Sequence, residues 1–508
     1  MVKITSKIDL YDQLLEKYKE IVLLNNISLL AYWDLETYIP SKGFEQRSEE
    51  VALLSGILHE RQTDPEIGQL LVEIKNHKEY PNLSAMEKRN IELIQREYDQ
   101  QTKVPKDLVT ALAKQTALAY ETWKKAKEES NFDLLKPHLS KIVDLVKKQA
   151  SYIDPTKDPY DVLLDINEPG FNREIIDKLF TELRDGLIPI IQACIKSPKQ
   201  PDVSILKRYC PKSIQSDIAH DVAGVIKYDL QAGRIDPTAH PFTTGFYDDV
   251  RVTVHYDEND FTNSFYGMLH EGGHGLYEQN LPVKNKYQPI GYYCSMGIHE
   301  SQSRFIENLV GRSLEFWEFY LPKLKALGKN IFDDLDLKQL VFALNEVKSS
   351  KIRIFADPVT YSLHIIVRYE IEKELFAGKI TVADLPNIWN QKMKEYLGVT
   401  IENDAEGLLQ DSHWPGGAFG YFPDYALGNI YDGQLLWKIE QDLPTWREDM
   451  RKGDLSKLIN WLINNVHQKG NLLKPLDLIK EITGHDLSPK YYLDYIKKEY
   501  AKFYDIDF

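Results

Sequence analysis

"FYGMLHEGGHGLYEQ", residues 265–279, places two histidines four positions apart, with a glutamate directly after the first. On a helix that rises about 1.5 Å per residue, His270 and His274 lie one turn apart on the same face. Two imidazoles in that arrangement can bind one tetrahedral ion, so both are predicted metal ligands. Glu271 lies about 100° further round the helix, where it would contact water on the ion rather than the ion itself.

Three glycines in the same helix, Gly272, Gly273 and Gly275, are unexpected. Each costs about 1 kcal/mol in a helix relative to alanine. Tertiary packing supplies most helix stability in proteins, so packing can offset this cost. We expect Gly273 to let a neighbouring helix approach closely, and Gly272 to make room for the aromatic side chains of residues 291–293. The sequence offers no explanation for Gly275.

A catalytic zinc site needs a third protein ligand and one open position. Glu278 continues the face of the two histidines, but it lies about 12 Å from the first along the helix axis and cannot share the ion. Glu300, near the start of the next predicted helix, is the favoured third ligand. His299, which would complete a three-histidine site, is the first alternative, and Glu307 is a rival two turns further on.

A metal site of this kind predicts amide hydrolysis. A bound divalent ion lowers the pKa of its water to about 7 and polarises a carbonyl oxygen. Glu271 would accept the water proton as general base and pass it to the departing nitrogen. A nearby donor, for which His240, His413 or a tyrosine is available, would stabilise the oxyanion.

The composition indicates a globular protein with no nucleic-acid or membrane partner. Of the 508 residues, 43 % are apolar and 27 % charged, and the formal net charge is −15. An acidic surface disfavours binding to phosphate backbones and anionic membranes. No apolar run approaches the roughly 18 residues of a membrane span. Three scattered cysteines (Cys194, Cys210, Cys294) and a charged N-terminus without a signal peptide predict packing thiols and a cytoplasmic location.

Helical periodicity dominates the chain, while residues 240–257 alternate in the manner of a β-hairpin or small sheet. Residues 403–425, rich in glycine, proline and aromatic residues, predict a loop that lines a site. Without a linker, 1–508 is expected to form a single unit, undivided or in two helical lobes, with 240–300 as the core of the metal site. Helices are predicted over 8–30, 46–77, 85–103, 107–129, 132–151, 172–197, 295–324, 334–348, 358–377 and 424–441.

Six short motifs occur in a fixed order, and together they resemble the carboxypeptidase Taq family of metallocarboxypeptidases. Two upstream segments, WDLETYIP (33–40) and YDVLLDINEPG (160–170), also resemble that family, so the likeness covers nearly the whole chain. The six motifs are HPF (240–242), DVRVT (249–253), HEGGH (270–274), HESQ (299–302), IRIFAD (352–357) and GLLQDSHW (407–414).

The resemblance implies a mostly α-helical fold with a deep central groove, similar to neurolysin-like peptidases, and a homodimer. It implies one divalent metal per chain, with zinc expected and cobalt as the alternative. The ligands would be the matching residues His270, His274 and Glu300, with Glu271 catalytic. The implied activity is the release of single C-terminal residues from peptides with broad specificity.

A carboxypeptidase must recognise a free α-carboxylate, which the planar fork of arginine can bind with two hydrogen bonds. Arg353 is the first candidate, with His413 and Tyr421 as helpers. Arg251 is the rival, although a scaffold role suits it better. Asp249 is a candidate to orient a ligand histidine from behind.

The sequence leaves three alternatives open. Arg353 could instead form a structural ion pair with Asp357, four residues on. The protein could be an endopeptidase of the same metal class. It could also be a metal-bound peptide-binding protein without turnover, although the intact Glu271 argues against that.

Overall fold

The computed structural model describes residues 9–508, so the first residue of the helix predicted over 8–30 lies outside the described residues. Within this range helices dominate, which confirms the mostly α fold class. The helices are α1 (Asp9–Thr37), α2 (Phe44–Gln62), α3 (Pro65–Asn76), α4 (Ala85–Thr102), α5 (Lys106–Glu128), α6 (Phe132–Ile153), α7 (Pro159–Asn167), α8 (Arg173–Lys196), α9 (Lys212–Val225), α10 (Phe261–Gln279), α11 (Met296–Arg304), α12 (Leu314–Leu327), α13 (Leu337–Leu344), α14 (Tyr361–Phe376), α15 (Leu385–Leu397), α16 (Pro423–Asp442), α17 (Trp446–Arg451), α18 (Ser456–Asn465), α19 (Pro475–Thr483) and α20 (Lys490–Tyr504).

A three-stranded sheet precedes α10, with β1 (Gly233–Pro237), β2 (Thr243–Phe246) and β3 (Asp249–Val254) in the order β1–β3–β2. β2 and β3 are antiparallel and form the hairpin predicted within 240–257. β1 adds a parallel partner that the prediction did not include.

Two predicted helices are interrupted where local capping favours a new start. The helix expected over 46–77 breaks between α2 and α3, because the Asp64 carboxylate accepts the backbone N–H of Glu66 and Pro65 takes the first helical position. The helix expected over 295–324 is divided into three parts. α11 ends at Arg304, a π-helical turn follows over Phe305–Val310, and α12 begins after Ser313, whose side chain caps it.

The core consists of two hydrophobic clusters. The larger extends from α5 to α20 and includes the sheet, while the smaller joins α1, α3 and α4. Phe246 of β2 packs against both. Cys194, Cys210 and Cys294 are unpaired and buried, as packing residues are. Among the described helices, none combines the length and apolar character that a membrane span requires.

Gly273 is the point at which α10 and α11 touch. A Cβ atom at this position would lie 2.6 Å from the carbonyl oxygen of Gln302 and 2.6 Å from the Cα of Ser303. Real Cβ atoms do not approach a backbone so closely, so only glycine permits this packing. The expectation that Gly273 allows a close helix approach is confirmed.

At the other two glycines, Gly272 and Gly275, α10 packs against different neighbours. A Cβ at Gly272 would lie 2.5 Å from Ile226 Cδ1, so the predicted contact with residues 291–293 is wrong. The reason is that the segment after α9, and not the loop before α11, covers this face. A Cβ at Gly275 would meet the ring of Tyr228 at 2.7 Å, close to Val252 of β3. Its glycine therefore lets α10 lie against the sheet.

Candidate active site

The two histidines of α10 and one glutamate of α11 converge. The Nε2 atoms of His270 and His274 lie 3.7 Å and 3.4 Å from Glu300 Oε2. One ligand atom from each of the three residues falls within 4.8 Å of the other two, and no other such group occurs within residues 9–508. The geometry therefore brings Glu300, and neither His299 nor Glu307, to the two histidines.

Glu307 supports His270 from behind. Its Oε2 lies 2.9 Å from His270 Nδ1, the ring nitrogen that faces away from Glu300. A proton on Nδ1 leaves the lone pair of Nε2 free to bind a metal. Glu307 belongs to the π-helical turn that follows α11, and turns of this kind occur often at functional sites.

His274 has a different support. Its buried Nδ1 has no hydrogen-bond partner. Its ring instead stacks on His299, with centroids 4.5 Å apart and planes 27° apart. The Nε2 of His299 lies 2.9 Å from Glu278 Oε1, and the ring of Tyr277 packs on the His299 ring with centroids 5.5 Å apart. His299 therefore contacts a candidate ligand rather than acting as one.

The charges of the site are mutually dependent. Burial alone would lower the pKa of His270, but Glu300 and Glu307 raise it to about 9. Burial would raise the pKa of Glu300, but the His270 cation, His274 and Arg304 lower it to about 2. Two carboxylates thus hold one positive charge in a desolvated pocket.

This arrangement fits a divalent cation. Two imidazoles and one carboxylate form a donor set that divalent transition metals prefer. A cation at this position would replace the positive charge that His270 carries between the two glutamates. The hydrogen bond of Glu307 to Nδ1 fixes the tautomer that such binding requires.

The site opens into a cavity of ≈1380 Å³, the expected deep groove. Glu271 lines it and is 7 % exposed. The hydroxyl oxygen of Thr243, on β2, lies 2.7 Å from Glu271 Oε2 and 2.9 Å from the Glu271 carbonyl oxygen. The strand beside α10 therefore orients this carboxylate, a role that the sequence did not reveal.

Arg353 lines the same cavity and is only 8 % exposed. Its Nε and Nη2 donate to Asp411 Oδ1 at 3.1 Å and 2.9 Å, and its Nη1 donates to the Tyr361 hydroxyl at 3.0 Å. The pair with Asp357 does not form, because that carboxylate accepts the backbone N–H groups of Val359 and Thr360. Asp411 belongs to the GLLQDSHW motif, so two of the sequence motifs meet here.

Of the predicted helpers, only Tyr421 lines the cavity. His413 lies behind the wall, where its ring packs on Phe422 with centroids 4.5 Å apart and its Nε2 is 3.4 Å from the Tyr425 hydroxyl. It therefore supports the aromatic wall. His240 is exposed and outside the cavity lining, while the next two residues, Pro241 and Phe242, turn towards it. The structure does not bring His240 to the site.

Asp249 and Arg251 also lie away from the ligands. Asp249 forms an ion pair with Arg251, with an Nε to Oδ1 distance of 2.8 Å. The Arg251 guanidinium lies 4.3 Å from the ring centroid of Trp33. The prediction that Asp249 orients a ligand histidine is wrong, because Glu307 occupies that role at His270. Arg251 joins the sheet to α1, which agrees with its expected scaffold role.

Comparison with known proteins identifies the family. The profile of the family described as Carboxypeptidase Taq (M32) metallopeptidase matches residues 13–500. The chain belongs to the carboxypeptidase Taq (M32) family.

Known carboxypeptidases resemble this chain over nearly its full length. Carboxypeptidase 1 of Bacillus subtilis is 40 % identical over 476 residues, which cover 94 % of this chain and 95 % of that protein. Thermostable carboxypeptidase 1 of Thermus thermophilus is 38 % identical over 504 residues, covering 97 % and 99 %. The crystal structure of the M32 carboxypeptidase from Deinococcus radiodurans R1 superposes with a TM-score of 0.95 at 33 % identity, covering 98 % of this chain and 100 % of that chain.

The predicted family resemblance is confirmed. As a member of the M32 family, the protein is a metallocarboxypeptidase whose substrates are peptides, and the family implies a divalent metal. Sequence reasoning missed Thr243, Asp411 and the supporting role of Glu307. For Glu307 a signal existed, because it lies seven residues after Glu300 and therefore near the same helix face.

If His274 is held by stacking, the shape of its neighbour matters more than its nitrogen atoms. We expect His299→Phe to keep the metal dissociation constant within about threefold, while His299→Ala weakens binding about 10- to 100-fold, as loss of an outer contact typically does. Titration of the metal-free protein with Zn²⁺ against a competing chelator measures both. Glu278→Gln is the control for the hydrogen bond of His299 and should bind metal normally. Equal weakening in all three variants would contradict the stacking role.

Proposed function

We propose that this metallocarboxypeptidase removes single residues from peptides with a free C-terminus, accepts many side chains, and uses Glu271 as its general base. One observation carries the proposal: Glu271 and Arg353 line one cavity together with the His270–His274–Glu300 group. A base beside a metal site and a buried guanidinium in the same cavity suit a substrate that ends in a carboxylate.

Arg353 is the proposed anchor for the substrate carboxylate. A guanidinium has five N–H donors, and the hydrogen bonds to Asp411 and Tyr361 use three of them. The remaining two, on Nη1 and Nη2, can donate to a carboxylate in the cavity. Asp411 and Tyr361 fix the plane of the fork before substrate arrives, which lowers the entropic cost of binding.

The proposed ligands of the metal are His270, His274 and Glu300, with Zn²⁺ expected and Co²⁺ as the alternative. When bound, such an ion activates water and polarises the carbonyl of the scissile bond. Thr243 orients Glu271 Oε2. In the proposed mechanism the Glu271 carboxylate accepts one proton from the attacking water and delivers it to the departing amine nitrogen.

Tyr421 is the proposed donor to the developing oxyanion. Burial raises the pKa of its phenol, so the hydroxyl stays protonated at neutral pH and can donate a hydrogen bond. Its position in the cavity lining supports this role, which neither His413 nor His240 can fill from the places they occupy.

We further propose that 1–508 works as one catalytic unit with 240–300 as the core of the metal site. The contact of Phe246 with both hydrophobic clusters supports a single unit. A homodimer is proposed because α2 has no buried residue. Large apolar side chains on α1 and α2 are exposed, among them Ile27 at 53 % and Leu53 at 66 %, and a second copy would cover them.

The carboxylate anchor predicts discrimination between acid and amide. For N-blocked dipeptides, we expect the free acid to be cleaved with a kcat/KM at least 100-fold above that of the C-terminal amide, measured by release of the free amine. Arg353→Lys should reduce kcat/KM for the acid about 10- to 100-fold, because a hydrogen bond to a charged group contributes about 1.5–3 kcal/mol. Equal cleavage of acid and amide by the natural protein would instead support the endopeptidase alternative.

The general-base role predicts separate effects on chemistry and metal binding. Glu271→Gln keeps the size of the side chain, so the metal content by mass spectrometry should equal that of the natural protein. We expect kcat to fall by about 10²- to 10⁴-fold. The measurement is made after removal of metal and reconstitution with Zn²⁺, Co²⁺ or Mn²⁺ in turn. Unchanged activity in the variant would refute the mechanism, and metal-loaded natural protein without turnover would favour the peptide-binding alternative.

The double variant Ile27→Glu, Leu53→Glu places charged side chains at the interface of the proposed dimer. Burial of two carboxylates without partners is unfavourable, so the double variant should sediment as a monomer of about half the mass of the natural protein. Val283→Glu, at a residue 63 % exposed elsewhere on the surface, is the control and should sediment like the natural protein. A natural protein that sediments as a monomer would refute the dimer.

A further inference from the structure

The wall of the cavity carries two large apolar side chains that the proposed function does not use. Ile354 and Phe355 line the cavity and are 67 % and 73 % exposed. They directly follow Arg353 in a short 3₁₀ turn, Arg353–Phe355. We call Ile354 and Phe355 the apolar lip. Single exposed apolar residues are common on protein surfaces, but two neighbours of this size at a substrate cavity suggest a binding surface.

The turn that carries the lip is firmly held. The backbone N–H of Arg353 donates to Gln410 Oε1 at 2.8 Å, and the N–H of Phe355 donates to the Ile352 carbonyl at 3.2 Å. After the turn, Asp357 accepts the backbone N–H of Lys348 at 3.1 Å, which ties the two ends of the loop together. The lip is therefore presented on an ordered backbone, and a ligand that contacts it does not have to order that backbone.

Proximity to Arg353 decides which part of a substrate the lip meets. In an amino acid the side chain and the carboxylate are attached to the same carbon atom. Arg353 and the lip line the same cavity, so the side chain of a residue whose carboxylate binds Arg353 enters the cavity that the lip borders. Ile354 and Phe355 contribute only apolar side-chain surface there, and contact with an apolar group removes that surface from water.

We propose that the apolar lip is a specificity subsite that favours a large apolar residue at the substrate C-terminus. This inference rests on the proposed binding of the α-carboxylate by Arg353, and it adds a preference to an otherwise broad specificity. Leucine, phenylalanine and methionine are the C-terminal residues that it favours. A C-terminal glycine has no side chain to contact the lip, and asparagine offers the size of leucine with a polar amide that loses water on contact.

The test uses three N-blocked dipeptides that differ only in the C-terminal residue, which is leucine, asparagine or glycine. The natural protein should cleave the leucine substrate with a kcat/KM about tenfold above that of the asparagine substrate. Phe355→Ala should reduce this ratio to about two, mainly through a higher KM for the leucine substrate. It should leave the glycine substrate within twofold, because that substrate never meets the lip.

Three further variants distinguish loss of a contact with the lip from a general disturbance of the structure. Phe355→Leu retains an apolar side chain and should keep most of the preference, while Ile354→Ala should reduce it in the same direction as Phe355→Ala. Val283→Ala removes apolar surface outside the cavity and should leave kcat/KM unchanged for all three substrates. Circular dichroism and thermal unfolding confirm that each variant is folded before its kinetics are compared.

The outcomes separate this inference from the proposed function. The subsite proposal is overturned if Phe355→Ala leaves the leucine-to-asparagine ratio of kcat/KM unchanged, or if it lowers kcat/KM equally for all three substrates. In either case a preference for free acids over amides still supports the role of Arg353. If the natural protein cleaves acids and amides equally, the carboxylate anchor fails and the lip loses its basis. Selective loss of the leucine preference together with retained preference for the acid supports both.

Discussion

The contact between the backbones of α10 and α11 at Gly273 is the constraint on which the site depends. A methyl group at this position would meet the Gln302 carbonyl and the Ser303 Cα at 2.6 Å, so the two helices could not lie where they do. Their separation sets the distance from the two histidines to Glu300. The intrinsic cost of glycine in a helix, about 1 kcal/mol, is offset because packing determines most helix stability.

Once the helices are fixed, burial makes each partner necessary. Imidazoles and carboxylates removed from water are stable only with compensating charges or contacts. His270 receives compensation from Glu300 and Glu307, and His274 receives ring contact with His299, which itself binds Glu278. The buried guanidinium of Arg353 follows the same rule, because it pairs with Asp411, which also pairs with Arg368. The proposed metal ligands His270 and His274 and the proposed anchor Arg353 are therefore each held in place by a partner side chain.

The accuracy of prediction from sequence depended on whether a signal was local. The spacing of His270 and His274, the hairpin within 240–257 and most long helices were predictable, because each depends on residues near one another in the chain. The break between α2 and α3 was predictable from the capping residues Asp64 and Pro65, but the predicted helix runs through it. Short helices such as α7 and α9 were missed, since nine or fourteen residues give a weak periodic signal.

Contacts between distant segments were predicted less well. His413 and His240 are polar residues in the right motifs, yet one lies behind the aromatic wall and the other faces solvent. Asp249 was expected beside a histidine and instead binds Arg251 two residues away. Thr243 had no sequence signal at all, because its role arises only from the packing of β2 against α10.

The sequence by itself determined the helical class, the family and the kinds of atoms available to a metal, since these follow from residue types, their periodicity and the order of the motifs. Only the tertiary structure decided which carboxylate completes the histidine pair, which one stands behind it, and what fills the space left by each glycine. Those outcomes depend on distances of a few ångströms between separate elements of the fold, and residue spacing along one helix carries no information about them. The HEGGH segment illustrates both parts: its histidines indicated a metal from the sequence, while only the structure identified the neighbours of its glycines as α11, Ile226 and the sheet.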